Sequence, residues 1–189
     1  MDVIEAIKNR RSIRKYKADP VDEKTLNLVL DAARLAPSWA NTQCWRFVVV
    51  RDPAIRAQIA DTTVGIGGGG GSNPAAAGIR IAPVTIVACA EKRTAGYYDG
   101  KASTDKGDGW LLFDIALAME HIALTAFSLG LGTVHVGLFD AQKVAEILGV
   151  PENFMVVELM PLGYPEFQPN PRPRKEMSEI VYHDKFARK

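Results

Sequence analysis

The sequence predicts an α+β fold. Helical and strand patterns follow one another irregularly, without the steady β-α-β alternation that builds a parallel sheet. Compact apolar runs at residues 45–50, 84–90 and 154–162 have the length of strands, the first two bounded by turn residues. Between the last two, residues 110–129 repeat Leu112, Ile115, Met119, Ile122, Ala126 and Phe127 and are apolar on several faces, as a buried central helix requires. A chain of 189 residues, 47% of them hydrophobic, can enclose one sizeable core, so a single domain spanning 1–189 is expected.

Taken in order, Val3, Ile4 and Ile7 form a short amphipathic helix that stops at the basic run Arg10-Arg11-Ser12-Ile13-Arg14-Lys15. Pro20 and Asp22 start a second helix, with Leu26, Val29, Leu30 and Ala33 on one face, which Pro37 ends. Trp45 to Val50 is a strand closed by Asp52-Pro53, and Val84 to Ala90 is a strand buried on both faces. The glycine run Gly65 to Gly71 and the polar stretch from Glu91 to Asp108 read as mobile loops, near 62–78 and 91–108. Gly130 and Gly132 stop the central helix. Val134 to Leu138 is expected as a short strand, and Asp140 caps a helix that ends at Gly149. The tail from Pro169, rich in proline and charge, cannot build a core alone and is expected to dock elsewhere.

The bulk numbers exclude several function classes. Lys+Arg 23 against Asp+Glu 22 leaves a formal net charge of +1, so no global field holds a nucleic acid or an anionic membrane, and neither is expected as a partner. Two separated cysteines, Cys44 and Cys89, form neither a disulfide framework nor a zinc set and read as small buried hydrophobes. The N-terminus carries no signal-peptide pattern and no apolar stretch reads as membrane-spanning, so a cytoplasmic protein is expected. His121, His135 and His183 lack ligand spacing, and no metal is expected. Gly65, Gly67 and Gly70 satisfy a G-x-G-x-x-G pattern, but no strand precedes them and no helix start follows, so the dinucleotide fingerprint fails.

Three polar clusters carry the chemistry. Arg10, Arg11, Ser12 and Arg14 place three guanidiniums and a hydroxyl within five residues, a set suited to a phosphate dianion and equally to a solvated or RNA-binding arm. Residues 36–45 crowd Pro37, Ser38, Asn41 and Gln43 together with Trp39 and Trp45: amides that could read a heterocycle edge beside flat walls, or a satisfied turn with core indoles. In Pro171-Arg172-Pro173-Arg174-Lys175 the prolines stiffen a backbone that keeps its cations pointed, or the segment is a soluble tail.

In these three places, in the right order, the sequence resembles the FMN-dependent nitroreductase family. The matching pieces are the N-terminal Arg-Arg-Ser-Ile-Arg-Lys-Tyr, the Pro-Ser-x-x-Asn-x-Gln-x-Trp turn, Leu129-Gly130-Leu131-Gly132-Thr133, Gly137-Leu138-Phe139-Asp140, and Leu162-Gly163-Tyr164-Pro165 before the basic tail. The resemblance implies a mainly antiparallel sheet surrounded by helices and a C-terminal tail docked on a partner subunit. It implies FMN as cofactor, NADH or NADPH as electron donor, and a small acceptor such as a nitroaromatic or quinone. Relatives of the same fold run dehydrogenation, dehalogenation or flavin fragmentation instead. Arg10, Arg11, Ser12, Arg172 and Arg174 would hold the phosphate and ribityl chain. Arg14 would reach the pyrimidine edge, where a waiting cation stabilises the charge of the reduced ring. Pro37, Ser38, Asn41 and Gln43 would cover the flavin from the second protomer of a homodimer with shared sites. The backbone at Val136 and Gly137 would lie near its reactive edge, where glycine permits close approach. Asn73 is the candidate for a further ring contact. Cys44 stands where the family usually has proline, and the glycine run matches no family motif.

Overall fold

The structure, a computed structural model, describes residues 1–65 and 73–186. Helix α1 (Val3–Asn9) leads into an extended basic segment, and α2 (Glu23–Arg34) follows once Asp22 accepts the Thr25 amide at 2.9 Å. Leu26, Val29 and Ala33, three to seven residues apart, turn one α2 face into the core. Strand β1 (Trp45–Val50) is followed by α3 (Pro53–Asp61), α4 (Pro74–Ile81) and β2 (Val84–Glu91). A small hairpin, β3 (Tyr97–Tyr98) with β4 (Lys101–Ala102), precedes the long α5 (Gly109–Ser128). Then come β5 (Gly132–Thr133), α6 (Ala141–Leu148), β6 (Phe154–Gly163) and, in the tail, α7 (Met177–Ile180).

The main sheet is antiparallel throughout, in the order β1-β2-β6-β5. The central strand β2 is buried along almost its whole length, and its side chains alternate between two cores. Val84, Ile86, Ala88 and Ala90 meet α2 and α5, whereas Val87 and Cys89 meet the side where Ile59, Ile79 and Val144 bring in α3, α4 and α6. Three layers result, helices on both faces of one sheet, which is the α+β architecture expected.

Several expectations are corrected. Helices α3 and α4 were not foreseen: Asp52-Pro53 and Asn73-Pro74 look like breaks, but each Asx side chain caps a helix whose first residue is the proline. The loop expected near 62–78 therefore ends at Asn73, and its residues 66–72 lie outside the described residues. The stretch 91–108 is not all loop, since it contains the β3-β4 hairpin. The strand expected at Val134–Leu138 shrinks to a ladder at Gly132–Thr133 and one isolated bridge between Val136 and Leu159. Its backbone turns instead toward α3 and α4, where the Leu138 carbonyl accepts from Val64 N at 3.1 Å and Asn73 Nδ2 at 3.3 Å. Helix α5 does have the length and mean hydropathy, 1.5, of a membrane span, contrary to the expectation that no stretch would. Here it is the core helix, with Leu111, Ile115, Ala118, Met119, Ile122, Ala123 and Ala126 buried.

The basic segment is fixed by one close contact. Ile13 N donates to the Thr133 carbonyl at 2.8 Å, and the Ile13 side chain lies directly on Gly132, where a Cβ would come within 2.5 Å of Ile13 Cγ1. Gly132→Ala should therefore overpack this seam and lower stability by about 1–3 kcal/mol. A urea midpoint shifted down at constant slope is the expected result, and an unchanged midpoint would refute the contact.

Candidate functional site

The segment after α1 runs as an edge beside β5 and the end of β6. Ser12 bridges Thr133, Tyr16 bridges Pro165, and Lys17 N donates to the Tyr164 carbonyl at 2.9 Å. Between these anchors Ile13 and Tyr16 point into the core, the Tyr16 hydroxyl donating to the Ile13 carbonyl at 2.6 Å, while Arg14 is left exposed.

Arg14 lines a cleft of about 150 Å³ whose floor is the backbone and side chains of residues 134–138. Asn73 and the first residues of α4 form its other wall. Arg14, Val136 and Gly137, predicted from widely separated stretches of chain, are thus brought together, with Asn73 beside them. Both ends of the Asn73 side chain are engaged, Oδ1 accepting from Ala75 N at 2.9 Å and Nδ2 donating to the Leu138 carbonyl, so it joins the two walls. A larger groove of about 820 Å³ follows the outer face of α2 between Lys24 and Arg34. It gathers none of the polar clusters, and we place the chemistry in the smaller cleft.

Arg10 is linked to this cleft through Glu120 and the cleft residue His135, in a chain of alternating charges. Its Nε lies 3.6 Å from Glu120 Oε1 on α5, and its Nη1 is buried with no hydrogen-bond partner among the described residues. Glu120 Oε2 lies 3.3 Å from His135 Nε2, and His135 Nδ1 lies 2.7 Å from Glu158 Oε1 on β6. The bond to Glu120, then that to Glu158, raises the His135 pKa from 6.5 to about 9 against the opposing effect of burial. Burial pushes Glu120 upward, but the His135 bond and Arg10 outweigh it and the net shift is downward. A buried guanidinium nitrogen without an acceptor is an expensive group unless an anion completes it. The donor set therefore fits a phosphate monoester.

The other predicted residues lie elsewhere. Arg11 Nη1 donates to the Lys8 and Arg10 carbonyls, both at 2.8 Å, and so caps α1 instead of facing the cleft. Pro37, Ser38, Asn41 and Gln43 form a turn that does not line the cleft. Ala40, Asn41 and Gln43 all have positive φ, at 44°, 57° and 48°, so three non-glycine residues in four hold the strained left-handed conformation. Ser38 Oγ accepts from Gln43 N at 3.0 Å, and both Asp114 oxygens, from the core helix, accept from Trp39 N at 3.1 Å. Cys44 Sγ also approaches Asp114, at 3.8 Å. Burial raises the Asp114 pKa, partly offset by the Trp39 and Cys44 contacts. Burial, then the Asp114 charge, pushes the Cys44 thiol up to about 12, and burial pushes Cys89 up to about 11, so both are inert buried thiols. Arg172 and Arg174 are exposed and pair with no described residue, but the tail starts beside the basic segment: Gln168 Nε2 donates to the Asn9 carbonyl at 3.1 Å.

Asp114, Glu120, His135 and Glu158 were not found from sequence as site residues. A signal existed, because each acid interrupts an apolar helix or strand, where a charge needs a partner.

The sequence profile of the Nitroreductase family matches residues 7–66 and 71–164. The chain belongs to the nitroreductase family. A nitroreductase family protein from Clostridium novyi NT superimposes with a TM-score of 0.77 at 35% identity, covering 98% of this chain and 95% of that one. A 5,6-dimethylbenzimidazole synthase from Rhodospirillum rubrum is 32% identical over 88% of this chain and 83% of its own length. An FMN reductase [NAD(P)H] from Bacillus subtilis is 26% identical over 98% and 74%.

Two outcomes follow for stability. Asp114→Ala leaves the Trp39 amide without its acceptor and should cost about 1–3 kcal/mol, with Asp114→Asn milder, as read by chemical denaturation. His135 binds its proton more tightly folded than unfolded, so its contribution is complete below about pH 6.5 and is lost as pH rises to about 9. The melting temperature should fall across that interval, and more steeply than in His135→Gln. Parallel curves would contradict the pairing.

Proposed function

We propose that this nitroreductase-family chain binds FMN and acts as an NAD(P)H-dependent oxidoreductase on a small oxidised acceptor, nitroaromatic or quinone, working as a homodimer with shared sites. The observation that carries the reading is the buried, unpartnered Arg10 Nη1 beside a cleft that already holds Arg14 and the Val136–Gly137 backbone. Bound FMN would accept a pair of electrons from the nicotinamide and pass them to the acceptor. Arg10, with Ser12, would hold the phosphate, and the tail cations Arg172 and Arg174 would close on it from the segment that follows Gln168, itself tied to Asn9. Arg14 would stand at the ring's electron-rich edge when reduced, favouring that state electrostatically. Gly137 keeps the floor of the cleft free of a side chain.

Three observations support the shared site. A cleft of about 150 Å³ is smaller than the roughly 300 Å³ or more that encloses an organic ligand, so one chain offers half a site. Val3, Ile4 and Ile7 on α1 and Leu112 and Phe113 on α5 are exposed apolar groups of the kind a second subunit covers. The strained turn at 38–43 presents Asn41 and Gln43 outward, away from the cleft of its own chain. A reducing cytoplasm suits the two free cysteines. The identity with the 5,6-dimethylbenzimidazole synthase supports a second reading, in which the flavin stays and the reaction is dehydrogenation, dehalogenation or flavin fragmentation.

Anaerobic reduction of the FMN-loaded protein by NADH and by NADPH, followed by an acceptor panel and product analysis, separates the two readings. Protein that lacks a flavin band and takes up no added FMN would refute both. Arg174→Ala should weaken FMN binding by ~1.5–3 kcal/mol, about ten- to a hundredfold, whereas Arg14→Ala should chiefly lower the reduction potential. Mixing Arg174→Ala and Asn41→Ala protomers should restore one intact site per heterodimer, seen as FMN binding regained. No recovery would place both residues in one chain's site.

A further inference from the structure

We propose that His135 and Glu120 are positioning residues for the FMN phosphate: His135, as an imidazolium, neutralises the Glu120 carboxylate that otherwise opposes the phosphate at Arg10. This rests on the FMN reading and assigns an electrostatic role to His135, in the cleft floor, and to Glu120 behind it.

Both ring nitrogens of His135 face carboxylate oxygens, Nδ1 that of Glu158 at 2.7 Å and Nε2 that of Glu120 at 3.3 Å. A neutral imidazole carries one N–H, so one acid would then confront a bare lone pair, and only the doubly protonated ring satisfies both. The elevated pKa of about 9 agrees with that geometry.

Arg10, Glu120, His135 and Glu158 form a run of alternating sign whose sum is zero while His135 is protonated. The other ionisable groups near it are His121, beside Glu120 on α5, and Arg14 in the cleft wall. Of the Arg10 guanidinium, Nε is shared loosely with Glu120 at 3.6 Å and Nη1 is unpartnered. With Glu120 held by His135, Arg10 keeps a donor and most of its charge for an incoming dianion. When the ring loses its proton, the run carries one net negative charge, and Glu120 turns its full charge on Arg10. Phosphate then meets an internal competitor. The groups are partly exposed, so the effect is a modulation of affinity and not an on–off switch.

The test compares FMN with riboflavin, which differ only in the phosphate, using the apoprotein and flavin fluorescence at pH 7.5 and pH 10. Over this range the phosphate stays a dianion, and ionisation of the ring is common to both ligands and cancels in their affinity ratio. In the wild type, the preference for FMN should drop about fivefold between the two pH values. His135→Gln should show the lowered preference at both, and Glu120→Gln should keep the high preference at both. Opposite directions from two members of one network are what a charge role predicts, whereas structural damage would lower both. Equal pH dependence in wild type and His135→Gln, or loss of preference in Glu120→Gln, would overturn the proposal while leaving FMN binding intact. Failure of the wild type to bind FMN at all would overturn the functional reading and this inference with it.

Discussion

The seating of Ile13 on Gly132, with the Ile13 amide bonded to the Thr133 carbonyl, is the contact on which the site depends. It aligns the basic segment with the ends of β5 and β6, so residues near position 10 meet residues near 120, 135 and 168. Without it three guanidiniums close in sequence would be a solvated basic run. With it, Arg14 enters the cleft wall and Arg10 is drawn down onto α5, half-buried and short of one acceptor. The packing constraint is strict because the partner of Ile13 is a backbone without a side chain.

Electrostatics around the cleft follow from where α5 carries its few charges. An almost wholly apolar helix places Asp114 and Glu120 on different sides of its axis. Asp114 is buried among core residues and holds the strained 38–43 turn through the Trp39 amide. Glu120 emerges near the middle of the helix, between Arg10 and His135. One rigid element thus positions both Arg10 and the turn that exposes Asn41 and Gln43. Since a helix transmits displacement along its length, the two features are fixed relative to one another more firmly than either loop alone would allow.

Much of this was legible in the sequence, and the failures have physical causes. Helices α1, α2, α5 and α6 and strands β1, β2 and β6 follow from apolar periodicity, run length and capping residues, all of them local signals. Helices α3 and α4 were missed because an Asx-Pro pair is the same local signal whether it closes a strand or opens a helix, and only packing decides. The stretch after Thr133 looks like a strand by composition, yet its Leu138 carbonyl is claimed by both Val64 and Asn73 from outside the sheet, a tertiary override that no local pattern records. The cleft residues Arg14, Val136 and Gly137 were found, but the network behind them was not. A lone histidine in an extended stretch becomes informative only when a strand and a helix each deliver an acid to it.

The strained turn closes the argument about assembly. Three left-handed residues in four, none of them glycine, cost on the order of 1–3 kcal/mol each, and such a conformation persists only where the surroundings over-determine it. Here a buried carboxylate and the Ser38 hydroxyl do so. Yet within its own chain the turn touches neither the cleft nor Arg10, and its amide side chains bond to one another, Gln43 Nε2 to Asn41 Oδ1 at 3.2 Å. Strain of this size, held rigid and aimed outward, has no benefit for the isolated fold. In the proposed homodimer it acquires a use, because the turn's outward face would then supply the amides of Asn41 and Gln43 to the cleft of a second protomer.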